Sequence, residues 1–253
     1  MKGRGWWVRG VASLMGPMAL LWQPSAEAGP PFVTNDPDPP EVGQWEINLP
    51  WTLRLAKDGG LSGEILTLDP NYGYDPFTQL SIELPIPYSW SKEGGFSAGT
   101  GDVLFEYKRR FGTDAEAGYF GINPQLTAPT GDQERGLGAG RVTVQLPLLY
   151  QKKWGKTLFY SDLRYKWRAG EEGKSFWFLG VAAERPMSTH LKLGAEIFTT
   201  TPQASRGEYN VSFNVGFKYG LSPGNILMAS AGRSFRSDPE LMLFLGLRFL
   251  IPP

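Results

Sequence analysis

Alternation of apolar and polar residues recurs along most of this 253-residue chain. The stretch GQWEINLPWTLRLA, residues 43–56, is a clear example. Its apolar residues fall on alternate positions: Trp45, Ile47, Leu49, Trp51, Leu53 and Leu55. A period of two is typical of a β-strand, whose successive side chains point to opposite faces. The pattern therefore predicts strands with one face in an apolar environment and the other face in a polar one.

About twelve strands are predicted in this way. Clear alternation is found in the stretches 43–56, 77–90, 140–152, 208–220 and 240–249. Weaker runs fill the gaps, at 64–73, 101–111, 117–128, 157–168, 174–185, 190–200 and 225–235. Together they suggest strands of roughly 9–12 residues, which is the length that a tilted transmembrane strand needs. The connections are short and rich in Gly, Pro, Asp and Asn, which favours an up-and-down meander.

The first 28 residues are predicted to be a signal peptide. They have basic residues near the start, an apolar run over 11–22, and the small-x-small triplet Ala26-Glu27-Ala28. This order of features is typical of secretory signal peptides. The apolar run is shorter than the roughly 20 residues that a bilayer-spanning helix needs. We therefore expect cleavage after Ala28.

The next segment, residues 29–42, reads GPPFVTNDPDPPEV and contains five prolines and no periodicity. We expect an extended lead-in to a barrel domain over residues 43–253. Proline within a strand normally requires a sheet edge or a bulge, and a closed barrel has no edges. The prolines inside the predicted strands therefore predict bulges, at Pro50, Pro85, Pro87, Pro124 and Pro147.

A soluble β-sandwich would also satisfy the alternation, with its apolar faces packed against each other. Several features favour a membrane barrel instead: an even number of strands, their length, the signal peptide, and aromatic residues at the ends of the apolar faces. These aromatic residues are Trp45, Tyr88, Trp90, Tyr150, Trp167, Tyr209, Tyr219 and Phe249. We predict an all-β fold: a transmembrane up-and-down antiparallel β-barrel of about twelve strands, embedded in outer-membrane lipid of a Gram-negative-type bacterium.

Composition excludes several kinds of site. The chain has no Cys, so it has neither disulfides nor thiolate ligands, and 25 basic residues balance 25 acidic ones, which does not indicate a nucleic-acid partner. The only histidine, His190, excludes a site with several histidine ligands. A Ser188–His190 pair lies near a turn without an adjacent acid, so we interpret His190 as a solvated rim residue. We predict no catalytic residue, cofactor or metal site, and no enzyme.

Charged residues cluster on the inner faces of the predicted fourth, seventh and ninth strands, with one on the eighth. The candidate pore-lining residues are Glu106, Lys108, Arg110, Asp162, Arg164, Lys166, Glu184, Lys192 and Glu196. Such charges could line a permeation path, or they could pair with one another and hold the barrel shut. About twelve strands lies between the side-chain-filled barrels of eight and the open channels of sixteen or more, so a narrow lumen is expected.

Several longer stretches carry a family resemblance: PPFVTNDPDPPEVGQWEINL, GDVLFEYKRRF, LTAPTGDQERGLGAGRVTVQLPLLYQKKWG, LKLGAEIFTTTPQ and NVGFKYGLSPGNILMASAGRSF. In this order they resemble segments of bacterial outer-membrane proteins grouped as the meta-pathway phenol-degradation family, often labelled transporters. The most specific parts are the proline-rich opening with its Trp-Glu pair and the PTGD…RGLG loop. The resemblance implies an outer-membrane barrel, placed there by the outer-membrane assembly machinery, that takes up small organic compounds, including aromatic ones.

One departure from such barrels is at the C-terminus. They tend to end on an aromatic residue that the assembly machinery reads, whereas Leu250 and the sequence IPP follow Phe249. With this qualification, the sequence predicts a channel for passive uptake of small solutes. The alternatives are a barrel with a closed lumen and a structural or docking role and, less favoured, an outer-membrane enzyme. The sequence does not indicate an oligomeric state.

Overall fold

The computed structural model describes residues 29–168, 175–202, 209–235 and 241–253. The predicted signal peptide, residues 1–28, lies outside these ranges. No helix in the described ranges is both long and apolar enough to cross a membrane. The strand segments in these ranges are β1 Trp45–Leu55, β2 Leu61–Glu64, β3 Asp69–Asp75, β4 Thr78–Glu83, β5 Pro87–Ser91, β6 Gly95–Ala98, β7 Val103–Phe111, β8 Tyr119–Ile122, β9 Gln125–Ala128, β10 Thr143–Trp154, β11 Thr157–Arg168, β12 Phe176–Pro186, β13 Leu191–Thr200, β14 Asn210–Ser222, β15 Asn225–Ser234 and β16 Leu241–Ile251.

In the described part of the chain these segments form one closed antiparallel barrel of twelve strands, which confirms the predicted fold class. Four barrel strands are interrupted and consist of two segments each: β2 with β3, β4 with β5, β6 with β7, and β8 with β9. The barrel closes where β1 pairs with β16, from Trp45 opposite Ile251 to Leu55 opposite Leu241. Closure gives the backbone of both end strands a hydrogen-bonding partner, which a hydrocarbon environment requires.

Polar side chains face the barrel interior and apolar ones face outward. In β14, Ser212 and Asn214 are buried, whereas Val215 is 53% exposed. Outward aromatic side chains pack against one another across strands, as Tyr165 and Trp177 do at 4.8 Å between ring centroids. The alternation in the sequence therefore places the apolar face toward lipid and the polar face toward a lumen.

The prolines lie at or opposite the strand interruptions. Pro85 and Pro124 fall between two segments of one barrel strand, and Pro87 begins β5. Pro50 and Pro147 lie in continuous strands without a register shift, so the prediction of bulges at these two positions was wrong. Both face neighbouring strands where the ladder is already broken; at the break beside Pro147, its carbonyl accepts the Asn123 N–H at 3.1 Å. A missing N–H therefore disrupts little there.

Two further sequence features have a clear structural position. The loop with the PTGD…RGLG sequence is held by Asp102, whose carboxylate accepts the N–H groups of Gly131 at 2.9 Å and Ala139 at 2.6 Å. At the C-terminus, β16 continues past Phe249, and Ile251 pairs with Trp45. The last strand therefore includes two residues beyond the final aromatic side chain.

Candidate functional site

The proline-rich residues 29–42, here called the N-terminal segment, lie inside the barrel. Phe32, Thr34 and Asp36 are buried there. The segment contacts the inner wall at successive strands: Ser230 of β15 donates to the Pro31 carbonyl at 2.9 Å, and later residues reach β13, β11 and β7. Prolines suit this course because they fix an extended backbone and reduce the number of N–H groups that need partners. The segment thus fills part of the lumen.

The first anchor of the N-terminal segment is Glu196 on β13. One carboxylate oxygen accepts the Val33 N–H at 2.9 Å, and the other accepts both the N–H and the hydroxyl of Thr34, at 2.8 and 2.6 Å. Asn214 on β14 donates to the same carboxylate at 2.5 Å. An ionised carboxylate makes stronger hydrogen bonds than a neutral acceptor, so this contact fixes the middle of the segment.

The second anchor is the pair of Asp162 and Arg164 on β11. Asp162 is fully buried; it accepts the Asn35 N–H at 3.2 Å and forms an ion pair with Arg164. Arg164 also donates to the Val33 carbonyl at 2.8 Å, and its guanidinium lies 4.3 Å from the centre of the Phe178 ring. Both members of the ion pair are therefore engaged by the N-terminal segment.

The third anchor is Asp38 of the segment itself. Its carboxylate accepts hydrogen bonds from Arg110 on β7 at 2.8 Å, from the Tyr119 hydroxyl on β8 at 2.6 Å, and from Gln151 on β10 at 2.7 Å. Three donors, one each from β7, β8 and β10, thus converge on the Asp38 carboxylate. The contact ties the later part of the segment to the barrel wall at β7, β8 and β10.

Apolar packing and glycines complete the fit. Phe32 packs in a buried cluster with Leu158, Tyr160 and Ala182. A Cβ added to Gly194 would lie 2.7 Å from atoms of the Phe32 ring, and one added to Gly180 would overlap the Thr34 hydroxyl oxygen. Glycine at these two positions thus lets the segment approach the wall closely.

Asp36 differs from the other acidic residues of the segment because it is completely buried and only partly hydrogen-bonded. One oxygen accepts the Asp38 N–H at 2.6 Å, and the other has no hydrogen-bond partner within the described ranges. Burial raises the pKa of Asp36 to about 6, although the nearby charges of Lys108 and Lys218 act in the opposite direction.

Beside the N-terminal segment, a cavity of about 480 Å³ remains open in the lumen. Its walls are the inner faces of the first half of the barrel and the segment itself. Charged side chains line it, namely Asp38, Glu41, Glu46, Asp69, Glu83, Glu106, Lys108, Arg110 and Arg164, and the amides of Asn48, Asn71, Gln79, Gln125 and Gln145 lie between them. A polar wall of this kind holds water and polar solutes rather than lipid.

The predicted pore-lining residues divide into groups. Glu106, Lys108, Arg110 and Arg164 line the cavity. Asp162 and Glu196 bind the N-terminal segment instead, and Glu184 forms a buried ion pair with Lys218 at 2.9 Å. Lys166 and Lys192 lie half-buried on the polar faces of their strands. A pore-lining role for these nine residues stays a prediction.

Sequence reasoning missed the role of the N-terminal segment and of Arg248, which lies beside it. Arg248 on β16 donates to Asn48 at 2.9 Å and pairs with Glu46 at 3.1 Å, fully buried in the wall. In the sequence of β16, Arg248 alternates with the outward-facing residues Leu245 and Leu247, and this pattern is the signal that could have predicted its position on the inner face. The segment itself has no periodicity. The signal that could have indicated a hydrogen-bonded position inside the barrel is the number of polar side chains among its prolines.

Ser188, of the Ser188–His190 pair considered from the sequence, has a local structural role. The Ser188 hydroxyl oxygen accepts the backbone N–H groups of His190 at 3.2 Å and Leu191 at 3.1 Å, which stabilises the turn between β12 and β13. Within the described ranges no group of acidic or histidine side chains has the geometry to hold a metal ion.

A family model described as "Putative MetA-pathway of phenol degradation" matches residues 25–248, which is most of the chain. The chain belongs to this family. The match covers the N-terminal segment as well as nearly all of the barrel, so the lumen-filling residues are part of the family domain. A search of curated proteins found no match.

Two solved structures, an outer membrane channel and a porin, have a similar fold. The COG4313 outer membrane channel from Pseudomonas putida F1 has a TM-score of 0.72 and 18% identity, over 89% of this family member and 100% of that chain. The KdgM porin in complex with disordered oligogalacturonate has a TM-score of 0.58 and 11% identity, over 81% of this family member and 98% of the porin. At these identities the similarity is one of fold.

Proposed function

We propose that this protein is an outer-membrane channel that passes small solutes through a lumen narrowed by its own N-terminal segment. The observation that carries the proposal is the cavity of about 480 Å³, which lies beside the segment inside a closed barrel. A volume of this size is in the range of pockets that enclose small organic ligands. The polar inner wall and apolar outer wall are consistent with water inside and lipid outside.

The family description and the cavity size together support small organic compounds, including aromatic ones, as the solutes. The charged wall would orient the polar groups of such compounds. Charged side chains in a narrow passage also select permeating ions by sign, so Arg164 and Lys166 should influence which ions pass. We further propose that the protein is not an enzyme; in support, the Ser188 hydroxyl of the candidate Ser188–His190 pair stabilises its own turn by accepting two backbone N–H groups.

The rival function is a closed barrel with a structural or docking role. It is favoured by one observation: Asp162, Arg164 and Arg110 are engaged in ion pairs and hydrogen bonds that hold the N-terminal segment in place. In this alternative the lumen charges hold the N-terminal segment in place as a plug, and the remaining cavity does not connect the two sides of the membrane.

Recording ion currents across planar lipid bilayers separates the two functions. Purified mature protein should give small, reproducible conductance steps. Arg164→Ala and Lys166→Ala each remove a positive charge from the inner wall and should shift the ion selectivity toward cations. Lys156→Ala, which removes an exposed lysine from the turn between β10 and β11, is the matched control and should leave the selectivity unchanged. Absence of current from protein with verified folding would favour the closed barrel.

A further inference from the structure

The second carboxylate oxygen of Asp36 is one of the buried side-chain atoms that have no hydrogen-bond partner in the described part of the chain. Asp36 has no exposed surface, and no described residue donates a hydrogen bond to its second carboxylate oxygen. Leaving a buried acceptor without a partner costs free energy, and the cost is larger when the group is charged. A stable barrel is therefore expected to supply a donor at this position.

The predicted start of the mature protein lies close to this oxygen. Gly29 is buried, and a Cβ built on it would lie 3.9 Å from the unpartnered Asp36 oxygen and 3.9 Å from the Asn35 side-chain oxygen. The Gly29 nitrogen is two covalent bonds away from that Cβ position. Two oxygen acceptors thus lie beside the first residue after the predicted cleavage site.

We propose that signal-peptide cleavage after Ala28 creates the missing partner of Asp36, namely the α-ammonium group of Gly29. Hydrolysis of the Ala28–Gly29 peptide bond converts an amide nitrogen with one N–H into an ammonium group with three and leaves a carboxylate on Ala28. The new group carries a positive charge and has donors for both the Asp36 carboxylate and the Asn35 side chain. Processing would therefore complete the attachment of the N-terminal segment to the lumen.

The surrounding charges are compatible with an added cation. Arg248 also lies close to Gly29, with a terminal nitrogen 3.9 Å from the same built Cβ, and its charge is compensated by Glu46 at 3.1 Å. Lys218, which also acts on Asp36, is paired with Glu184 at 2.9 Å, and Lys108 lies in the cavity wall. Glu46 and Glu184 are thus already paired with basic residues, whereas Asp36 is available to pair with the α-ammonium group.

The test measures the mature N-terminus and the reactivity of its amine in the folded protein. Protein purified from outer membranes is first analysed by intact-mass spectrometry, which should show a chain that begins at Gly29. It is then acylated with an amine reagent over a range of pH, and modification of the Gly29 amine is quantified by mass spectrometry of the N-terminal peptide. A neighbouring carboxylate raises the pKa of an amine, whereas burial alone lowers it.

The midpoint for the wild-type amine should lie above the ordinary α-amino range of about 7.7–8.0. At pH 7.5 the folded protein should react about tenfold or more slowly than the unfolded protein. Asp36→Asn should lower the midpoint and increase the reaction rate, while Asp58→Asn in the exposed loop after β1 should change neither. A different N-terminal residue, or a wild-type midpoint within or below the ordinary range, would overturn the proposal. The wild-type midpoint decides this even if Asp36→Asn does not fold, and the outcome is independent of whether the lumen conducts.

Discussion

Glu196 on β13 holds Thr34, a residue 162 positions earlier in the chain, by two hydrogen bonds to one carboxylate oxygen. The Thr34 N–H and hydroxyl donate at 2.8 and 2.6 Å. This relationship makes the N-terminal segment part of the lumen, because a buried carboxylate and a buried backbone N–H satisfy each other there. Removing the Glu196 carboxylate leaves the Thr34 N–H and hydroxyl without this acceptor inside the barrel.

Glu196→Ala should loosen the N-terminal segment without unfolding the barrel. Hydrogen bonds to a charged group contribute about 1.5–3 kcal/mol, so the free energy of local opening at Val33 and Thr34 should fall by about that amount. Amide hydrogen exchange of these two residues reports the change. Glu116→Ala, in the exposed turn between β7 and β8, is the control and should leave their exchange unchanged. Equal exchange in both variants would mean that Glu196 does not hold the segment.

Gly180→Leu should displace the N-terminal segment by direct overlap. A side chain at this position would occupy the space of the Thr34 hydroxyl. Overpacking in a tightly packed site costs about 1–3 kcal/mol. Limited proteolysis should cleave within residues 29–42 faster in this variant than in Val181→Leu, a size change on the lipid-facing side of the same strand. Identical cleavage rates would contradict the close approach of Thr34 to β12.

Val215→Arg should destabilise the barrel more than an arginine placed closer to the membrane surface, because the cost of a charge on the outer face increases with its depth in the bilayer. Val215 lies in the middle of β14 and is 53% exposed on the outer face. An arginine near the bilayer midplane should cost about 2–4 kcal/mol, whereas Leu221→Arg near the end of the strand should cost about 0–1 kcal/mol. Urea unfolding in lipid vesicles measures both. Equal losses would show that the outer face of β14 does not cross the hydrocarbon region as described.

The folded protein should fractionate with outer membranes and migrate faster in SDS gels without heating than after boiling. Closure by β1 and β16 leaves few free backbone groups for detergent to attack, so the barrel resists unfolding. Fractionation of cells followed by electrophoresis with and without heating measures both properties. Recovery of the mature chain as a soluble periplasmic monomer would contradict the membrane assignment.

The inward or outward position of each wall side chain could be predicted from the sequence because it depends on the alternation within a single strand. Alternation alone places Ser212 and Asn214 inside and Val215 outside, and each choice depends only on neighbouring residues in one strand. Bulges at Pro50 and Pro147 were predicted wrongly because the relevant interruptions lie in adjacent strands. Pro147 lies beside the interruption at Asn123, which is distant in sequence and donates its N–H to the Pro147 carbonyl.

The candidate site was less predictable because its contacts are long-range. Glu196, Asp162 and Arg110 could be placed on inner faces by parity, yet nothing in their own strands indicates that their partners are Thr34, Asn35 and Asp38. The N-terminal segment lacks a period, so neither its depth nor its orientation follows from the sequence. Its position is determined by the pairing of buried polar groups across the lumen.

The most direct test of the proposed channel compares ion conductance of the wild-type protein with that of a variant carrying Glu196→Ala and Asp38→Ala together. Both substitutions remove anchors of the N-terminal segment, and the folded state of each protein is verified first by its heat-dependent migration. Small, uniform steps from the wild type and larger or fluctuating steps from the variant are the predicted result. No current from either folded protein would contradict the account, because a lumen that stays closed without its anchors is not a solute path.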